Sequence, residues 1–315
     1  MRRRIVLIIG PTAAGKTDVA MALQDLLGGR QKAQLVSADS AMVYRGLDIG
    51  SAKPKATELA AYPHELIDIR EPEDAYTAAD FVADADRCVE HAFIIGQVPI
   101  LVGGTMLYAK RFIEGIAELP PADAQLREQL QQQFEEKGGV QLHAELDAID
   151  PLAAAKIHPN NPQRLLRALE VIRLTGKPFS AQWKEFASPP ADVRLQAEIL
   201  TFMILPDDPT ALHERIEQRF DAMLAAGFIG ELKTLQMRSS LHADLPAMRA
   251  VGYRQGLQFL AGELSEREFR DKAITATRRL AKRQLTWLRS WSDAKHMTWG
   301  EPTALAAQIL ADLES

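Results

Sequence analysis

Apolar and polar positions fall into short alternating blocks along the first hundred residues. Ile5-Val6-Leu7-Ile8-Ile9 is a continuous apolar run of strand length, the pattern of a strand buried on both faces. After the stretch from Gly10 to Thr17, the residues Val19, Ala20, Leu23, Leu26 and Leu27 recur at helical spacing. Gln34-Leu35-Val36-Ser37 and Leu66-Ile67-Asp68-Ile69 predict further strands, and Thr77 to Ile95 predicts a helix with Thr77 as its N-cap. Val98-Pro99-Ile100-Leu101-Val102 is again apolar throughout and ends in Gly103-Gly104-Thr105. Such alternation predicts an α/β fold, a parallel sheet covered by helices with ligands at the carboxyl ends of the strands.

The rhythm changes after Leu119-Pro120-Pro121. From about Asp123 to Lys177 each periodic segment is helical. Asn161 supplies an N-cap and Pro162 a first helical residue, and Gly176 followed by Pro178 ends that helix. Past Ser188-Pro189-Pro190, the run Ala197 to Leu205 reads as a strand returning to the sheet. The expected organisation is an α/β core of residues 1–119 and 196–315 carrying a helical insertion domain, residues 120–195. Helices dominate the remainder, with a weak final strand from His296 to Trp299.

With 315 residues, 47% of them hydrophobic and 25% charged, the chain has room for one large domain and a smaller one. A net charge of -5 excludes a globally basic nucleic-acid binder, so any basic surface has to be local. The single cysteine, Cys88, excludes an internal disulfide and a cysteine-cluster zinc site, and its place in a helix suits plain packing. Arg2-Arg3-Arg4 could open a signal peptide, but the apolar run behind it stops at Ile9, too short for one. No stretch approaches the ~20 apolar residues of a membrane span. A cytoplasmic chain without membrane attachment, and a monomer, is the expectation.

The candidate chemistry begins at Gly10-Pro11-Thr12-Ala13-Ala14-Gly15-Lys16-Thr17, a P-loop in its proper strand–loop–helix setting. Backbone N–H groups of such a loop converge on phosphate oxygens, Lys16 adds a point charge, and the Thr17 hydroxyl suits Mg²⁺. The core is therefore a P-loop core that binds a polyphosphate. Asp39 follows a short strand and reaches the same sheet edge, where it serves as a general base, as a water-mediated Mg²⁺ partner, or as a turn residue. Gly103-Gly104-Thr105 either admits a ligand close to the backbone or is a tight turn capped by Thr105. Arg215 and Arg219 share a helix face, and Glu214, Glu217 and Asp221 are available to pair with them on a solvated surface. Lys272 to Arg289 holds six cations and no acid beside an apolar stripe, which suits either a phosphate-backbone contact or a solvated face. Arg249-Ala250-Val251-Gly252-Tyr253-Arg254 offers a glycine turn, two cations and a ring able to stack on a base.

Taken together, these blocks resemble the bacterial tRNA dimethylallyltransferases. The matching stretches are Gly10 to Thr17, Ser37 to Pro54, Leu101 to Tyr108, His158 to Arg164, Val251 to Arg254 and Ala281 to Arg289. The chain departs from many relatives at Met42, where they carry glutamine, and it lacks the zinc-finger tail of eukaryotic ones. The resemblance implies transfer of a dimethylallyl group from dimethylallyl diphosphate to N6 of the adenosine 3′ of a tRNA anticodon. It implies that Asp39 accepts the proton and that Thr105 orients the reacting groups. Lys16, Thr17, Mg²⁺ and Arg219 would neutralise the departing diphosphate. An extruded adenine implies RNA contacts from Ser40, Ala41 and Met42, from Gln163, Arg164, Leu165, Leu166 and Arg167, and from Arg249 to Arg254. The basic segment Lys282, Arg283, Gln284, Leu285, Thr286, Trp287, Leu288 and Arg289 would grip the RNA backbone, with Arg127 as a further contact.

Two other readings share the loop. A small-molecule kinase using ATP would also use Mg²⁺ and Asp39, but it leaves the helical insertion and the basic 272–289 face without a purpose. A guanine-specific switch would carry an Asn-Lys-x-Asp signature, and the sequence has none.

Overall fold

The apolar runs become the centre of one sheet. Among the residues that the computed structural model describes, 3–117, 119–185 and 188–315, six strands pair in parallel. They are β1 (Arg4–Ile9), β2 (Ala33–Ser37), β3 (His64–Glu65), β4 (Val98–Gly103), β5 (Glu198–Leu205) and β6 (Lys295–Thr298), in the order β3-β2-β4-β1-β5-β6. β1 lies between β4 and β5, with Leu7 opposite Leu101 on one side and Thr201 on the other. That central place explains why its residues from Ile5 to Ile9 are fully buried. Arg2 of the basic start, and residues 186–187 of the expected insertion, lie outside the described residues.

Parallel strands need crossovers, which helices supply. These are α1 (Lys16–Leu26), α2 (Ala56–Ala61), α3 (Ala78–Ile94) and α4 (Met106–Glu114) in the first half. Thr77 caps α3 as expected, its hydroxyl accepting from Asp80 N while the Asp80 carboxylate accepts from Thr77 N. Cys88 is half-buried on α3, and burial pushes its thiol up to about 12, as a packing residue requires. One face of the sheet packs with α1 and the last helix around Val6, Ile8, Leu23, Leu35, Ile100, Phe202 and Ile309. Each such side chain contributes about 1.5–3 kcal/mol on burial.

By internal contacts the chain divides into two compact units, Met1–Ile113 with Ala191–Ser315, and Glu114–Pro190. The smaller unit holds α5 (Ala124–Ile149), α6 (Pro151–Ala154), α7 (Pro162–Thr175) and α8 (Phe179–Glu185). Its own core joins Leu130, Leu142, Leu146, Leu165, Leu169 and Ile172. Asn161 caps α7 and Gly176 ends it at φ 67, where a glycine escapes the Cβ clash of the left-handed region. The larger unit resumes with α9 (Ala191–Arg194), then α10 (Pro209–Ala225), α11 (Phe228–Gln236), α12 (Tyr253–Leu260), α13 (Glu266–Leu288) and α14 (Pro302–Glu314). Among the described residues, no helix is long and apolar enough to cross a membrane.

One strand expectation is corrected. Leu66-Ile67-Asp68-Ile69 is a turn, and the ladder stops just before it, at Glu65. Leu66 and Asp68 take positive φ of 64 and 56, which no strand allows. The segment is held instead by Lys53, whose ammonium lies 2.5 Å from both Asp68 and Asp48, and by bonds from the amides of Ile69 and Arg70 to Val43 O. Isolated apolar residues here serve a loop, not a sheet.

Candidate active site

The carboxyl ends of β1, β2 and β4 open onto a cavity of about 1070 Å³. Its lining joins the P-loop, the turn after β2, the 103–107 segment, α10 and α13. In the loop, Ala13 and Gly15 adopt positive φ of 64 and 74, turning the backbone so that α1 begins at Lys16. Gly15 provides no side-chain cap, so the amides of the first turn remain for a ligand. Lys16 Nζ donates to Pro11 O at 2.7 Å. Burial and the neighbouring positive charge of Arg219 bring its ammonium down to about 8, against an opposing pull from Asp39.

Asp39 occupies the turn beyond β2. Its Oδ1 accepts from the amides of Ala41 at 2.8 Å and Met42 at 3.3 Å. These bonds make the turn that a structural aspartate makes, and the same residue lines the cavity. Thr105 stands just before α4, its carbonyl accepting from the amides of Tyr108 and Ala109. Its hydroxyl accepts from Ser40 N at 3.0 Å and donates to Ser40 Oγ at 3.2 Å, lacing the 39–42 turn to the end of β4. Gly103 is compelled here, since a Cβ would stand 2.1 Å from Ala38 O.

The solvated-surface reading of Arg215 and Arg219 is overturned. Glu217 and Asp221 pair with Arg270 of α13, at 2.8 and 2.6 Å, and Glu217 also takes Arg278 at 2.9 Å. Arg219 is thereby left to the cavity, where it acts on Lys16 and Asp39 alike, and burial lowers its own pKa. Arg215 stacks 3.9 Å from the Trp299 ring and flanks Gly15.

The basic segment divides. Arg278 is consumed by Glu217, whereas Arg279, Lys282, Arg283 and Arg289 are exposed, and Arg283 and Trp287 border the cavity. Four residues expected at RNA prove to have buried side chains. Leu288 and Leu165 are buried in the cores of their units, so their side chains reach no ligand. Gln284 is buried as well, its amide bonded to Thr12 N and Gly104 O. Tyr253 cannot stack on a base: it is 0% exposed, packs edge-on against Phe228 and donates to Glu231 at 2.6 Å. Arg249 and Arg254 beside it are exposed. In the smaller unit Gln163 and Arg164 are exposed, while Arg127 and Arg167 bond to the buried Glu170 at 2.9 and 2.7 Å.

Sequence reasoning missed Glu231. Its carboxylate accepts from the amides of Asp48, Ile49 and Gly50, at 3.0, 2.6 and 3.2 Å, and fixes the loop that borders the cavity. No local signal marks it, because its partners lie some 180 residues away in sequence.

The profile of the IPP transferase family matches residues 42–291. This chain belongs to that family. A tRNA dimethylallyltransferase from Chromohalobacter salexigens is 52% identical over 286 residues, 91% of this chain and 89% of that protein. The crystal structure of a full-length tRNA isopentenylpyrophosphate transferase from Bacillus halodurans is 34% identical with a TM-score of 0.70, covering 100% of this chain and 97% of that one. A eukaryotic dimethylallyltransferase, 22% identical with a TM-score of 0.79 over 99% of this chain and 78% of its own, shares the fold. As an enzyme of the IPP transferase family, a prenyl transferase, the chain is not the ATP-using kinase that the P-loop also allowed. Its P-loop and Asp39 both lie before the matched span, which begins at Met42.

Proposed function

We propose that this enzyme transfers the dimethylallyl group of dimethylallyl diphosphate to N6 of the adenosine immediately 3′ of the anticodon in tRNA, releasing diphosphate. The observation that carries the reading is one cavity lined by both halves of the chemistry, Lys16 and Arg219 beside Asp39 and Thr105. In the step, the N6 lone pair forms a bond to the allylic carbon and the C–O bond to the diphosphate breaks. The leaving oxygen takes the electron pair, and the N6 proton passes to Asp39. Lys16, Arg219 and the loop amides offset the charge gathering on the diphosphate. Proton acceptance by Asp39 contributes about 10²–10⁴-fold. Thr105, tied to Ser40, holds the accepting side in place.

Mg²⁺ fits the donors present only as a lightly held ion. Among the described residues no cluster of three metal-ligating side chains exists, so Thr17, with Asp39 through water, would hold an ion carried mainly by diphosphate oxygens. When bound there it supplies further charge neutralisation. Exposed Arg249, Arg254, Arg279, Lys282, Arg283 and Arg289 would bind the tRNA anticodon arm in the larger unit, and exposed Gln163 and Arg164 in the helical insertion. We take the enzyme to act as a cytoplasmic monomer. Incubation with isotope-labelled dimethylallyl diphosphate, Mg²⁺ and unmodified tRNA, followed by nucleoside analysis, tests the reading. Label in an N6-substituted adenosine is expected, and label absent from the RNA overturns it.

A further inference from the structure

β1 and β4 pair up to Ile9 opposite Gly103, and there their ladder ends. Two residues past Ile9 stands Pro11, which has no N–H to donate, and the chains separate into the diphosphate loop and the 103–105 loop. Into this gap α13 sends Gln284. Its Oε1 accepts from Thr12 N at 2.8 Å, and its Nε2 donates to Gly104 O at 2.7 Å. A buried primary amide costs free energy unless both ends are bonded, and here both ends are bonded to backbone, one on each loop. The side chain thus supplies the peptide-like rung that the proline denies to the sheet. Its space is also reserved, because a Cβ on Gly104 would stand 2.9 Å from Nε2.

We propose that Gln284 is a positioning residue that sets the distance between the diphosphate cradle and the Thr105–Ser40–Asp39 wall. This rests on the transferase reading above and deepens it. Each loop has its own internal support: Lys16 bonds Pro11 O, and Thr105 bonds Ser40. Losing the rung therefore leaves each half able to hold its own ligand but lets the two drift apart. For a reaction between two bound partners, such a drift is felt in the chemical step before it is felt in binding.

The test compares wild type with Gln284→Met, which keeps length and loses both hydrogen bonds, and with Gly104→Ala, which pushes the amide out of its seat. Single-turnover transfer at saturating tRNA and dimethylallyl diphosphate is measured together with dissociation constants for inorganic diphosphate and for unmodified tRNA. The expected result for both variants is a transfer rate lowered about 10- to 100-fold, with both dissociation constants within threefold of wild type. A variant rate within twofold of wild type overturns the proposal. So does a tenfold weaker tRNA affinity with the saturated rate preserved, which would make Gln284 an RNA contact. A tenfold loss of both affinities would make it a general structural support and overturn it equally. Failure of wild type itself to transfer label would sink the transferase reading instead, so the two failures are distinguishable.

Discussion

The two units treat buried charge in opposite ways. In the helical unit, Glu170 is fully buried, yet its carboxylate is saturated by Arg127, Arg167 and the amide of Asp123. Those partners hold it below the usual carboxylate range in spite of burial, and Arg167 further bonds Pro120 O. The cluster is closed, and it pins the start of the unit. In the larger unit, Lys16, Arg219 and Arg215 gather around one helix N-terminus with Asp39 and Asp18 as the nearby acids, and burial lowers the pKa of all three cations. A cluster satisfied by its own protein builds the fold. One left with excess positive charge at a helix N-terminus favours an anion, which is the role the proposed function gives it.

Asp39→Asn should break the open cluster's chemistry most severely, lowering transfer about 10²–10⁴-fold while tRNA affinity stays within threefold. A single-turnover rate near wild type would remove Asp39 as proton acceptor. In the closed cluster, Glu170→Ala leaves two solvent-reaching arginines without their anion and the Asp123 amide without its acceptor, and should cost about 1–3 kcal/mol of stability. Denaturant melts measure this, and a loss under about 1 kcal/mol would mean that water replaces the carboxylate freely. Lys16→Met should sharpen the contrast, since removing an unfavourable charge ought to stabilise the unliganded fold near pH 7. The sign follows from a folded-state pKa of about 8 against 10.5 unfolded: below pH 8 wild type carries the full penalty, and between the two values it recovers. The gain should thus fade as pH rises from 8 towards 10.5, and a constant gain across that window would deny the depressed pKa. Smallest of all, Arg279→Ala or Arg283→Ala should weaken every tRNA alike and reduce the salt slope by about 1. An unchanged slope returns that face to plain solvent.

How much of this was legible depended on the range of the interactions. The P-loop, the capped start at Thr77, the stop at Gly176 and the buried strands β1 and β4 are set by neighbours within a few residues, and the structure holds each where the pattern predicts it. The assignments that failed each needed a distant partner. Leu66 to Ile69 is apolar enough for a strand, but Lys53 draws Asp68 into a turn. Tyr253 has the composition of a base-stacking residue, yet Phe228 and Glu231 enclose it. Arg215 and Arg219 have acids at pairing distance along their helix, and α13 takes those acids away.

Hydrophobic periodicity and backbone stereochemistry act locally, so the chain alone dictates the parallel core, the phosphate loop and the helical insertion's separate character. Which cations stay unpaired, which amide joins two loops and which ring is sealed from solvent depend on side chains brought together from positions up to 272 residues apart. Only the packed structure decides those, because the cost of burying a polar group is settled by the partners that meet it there.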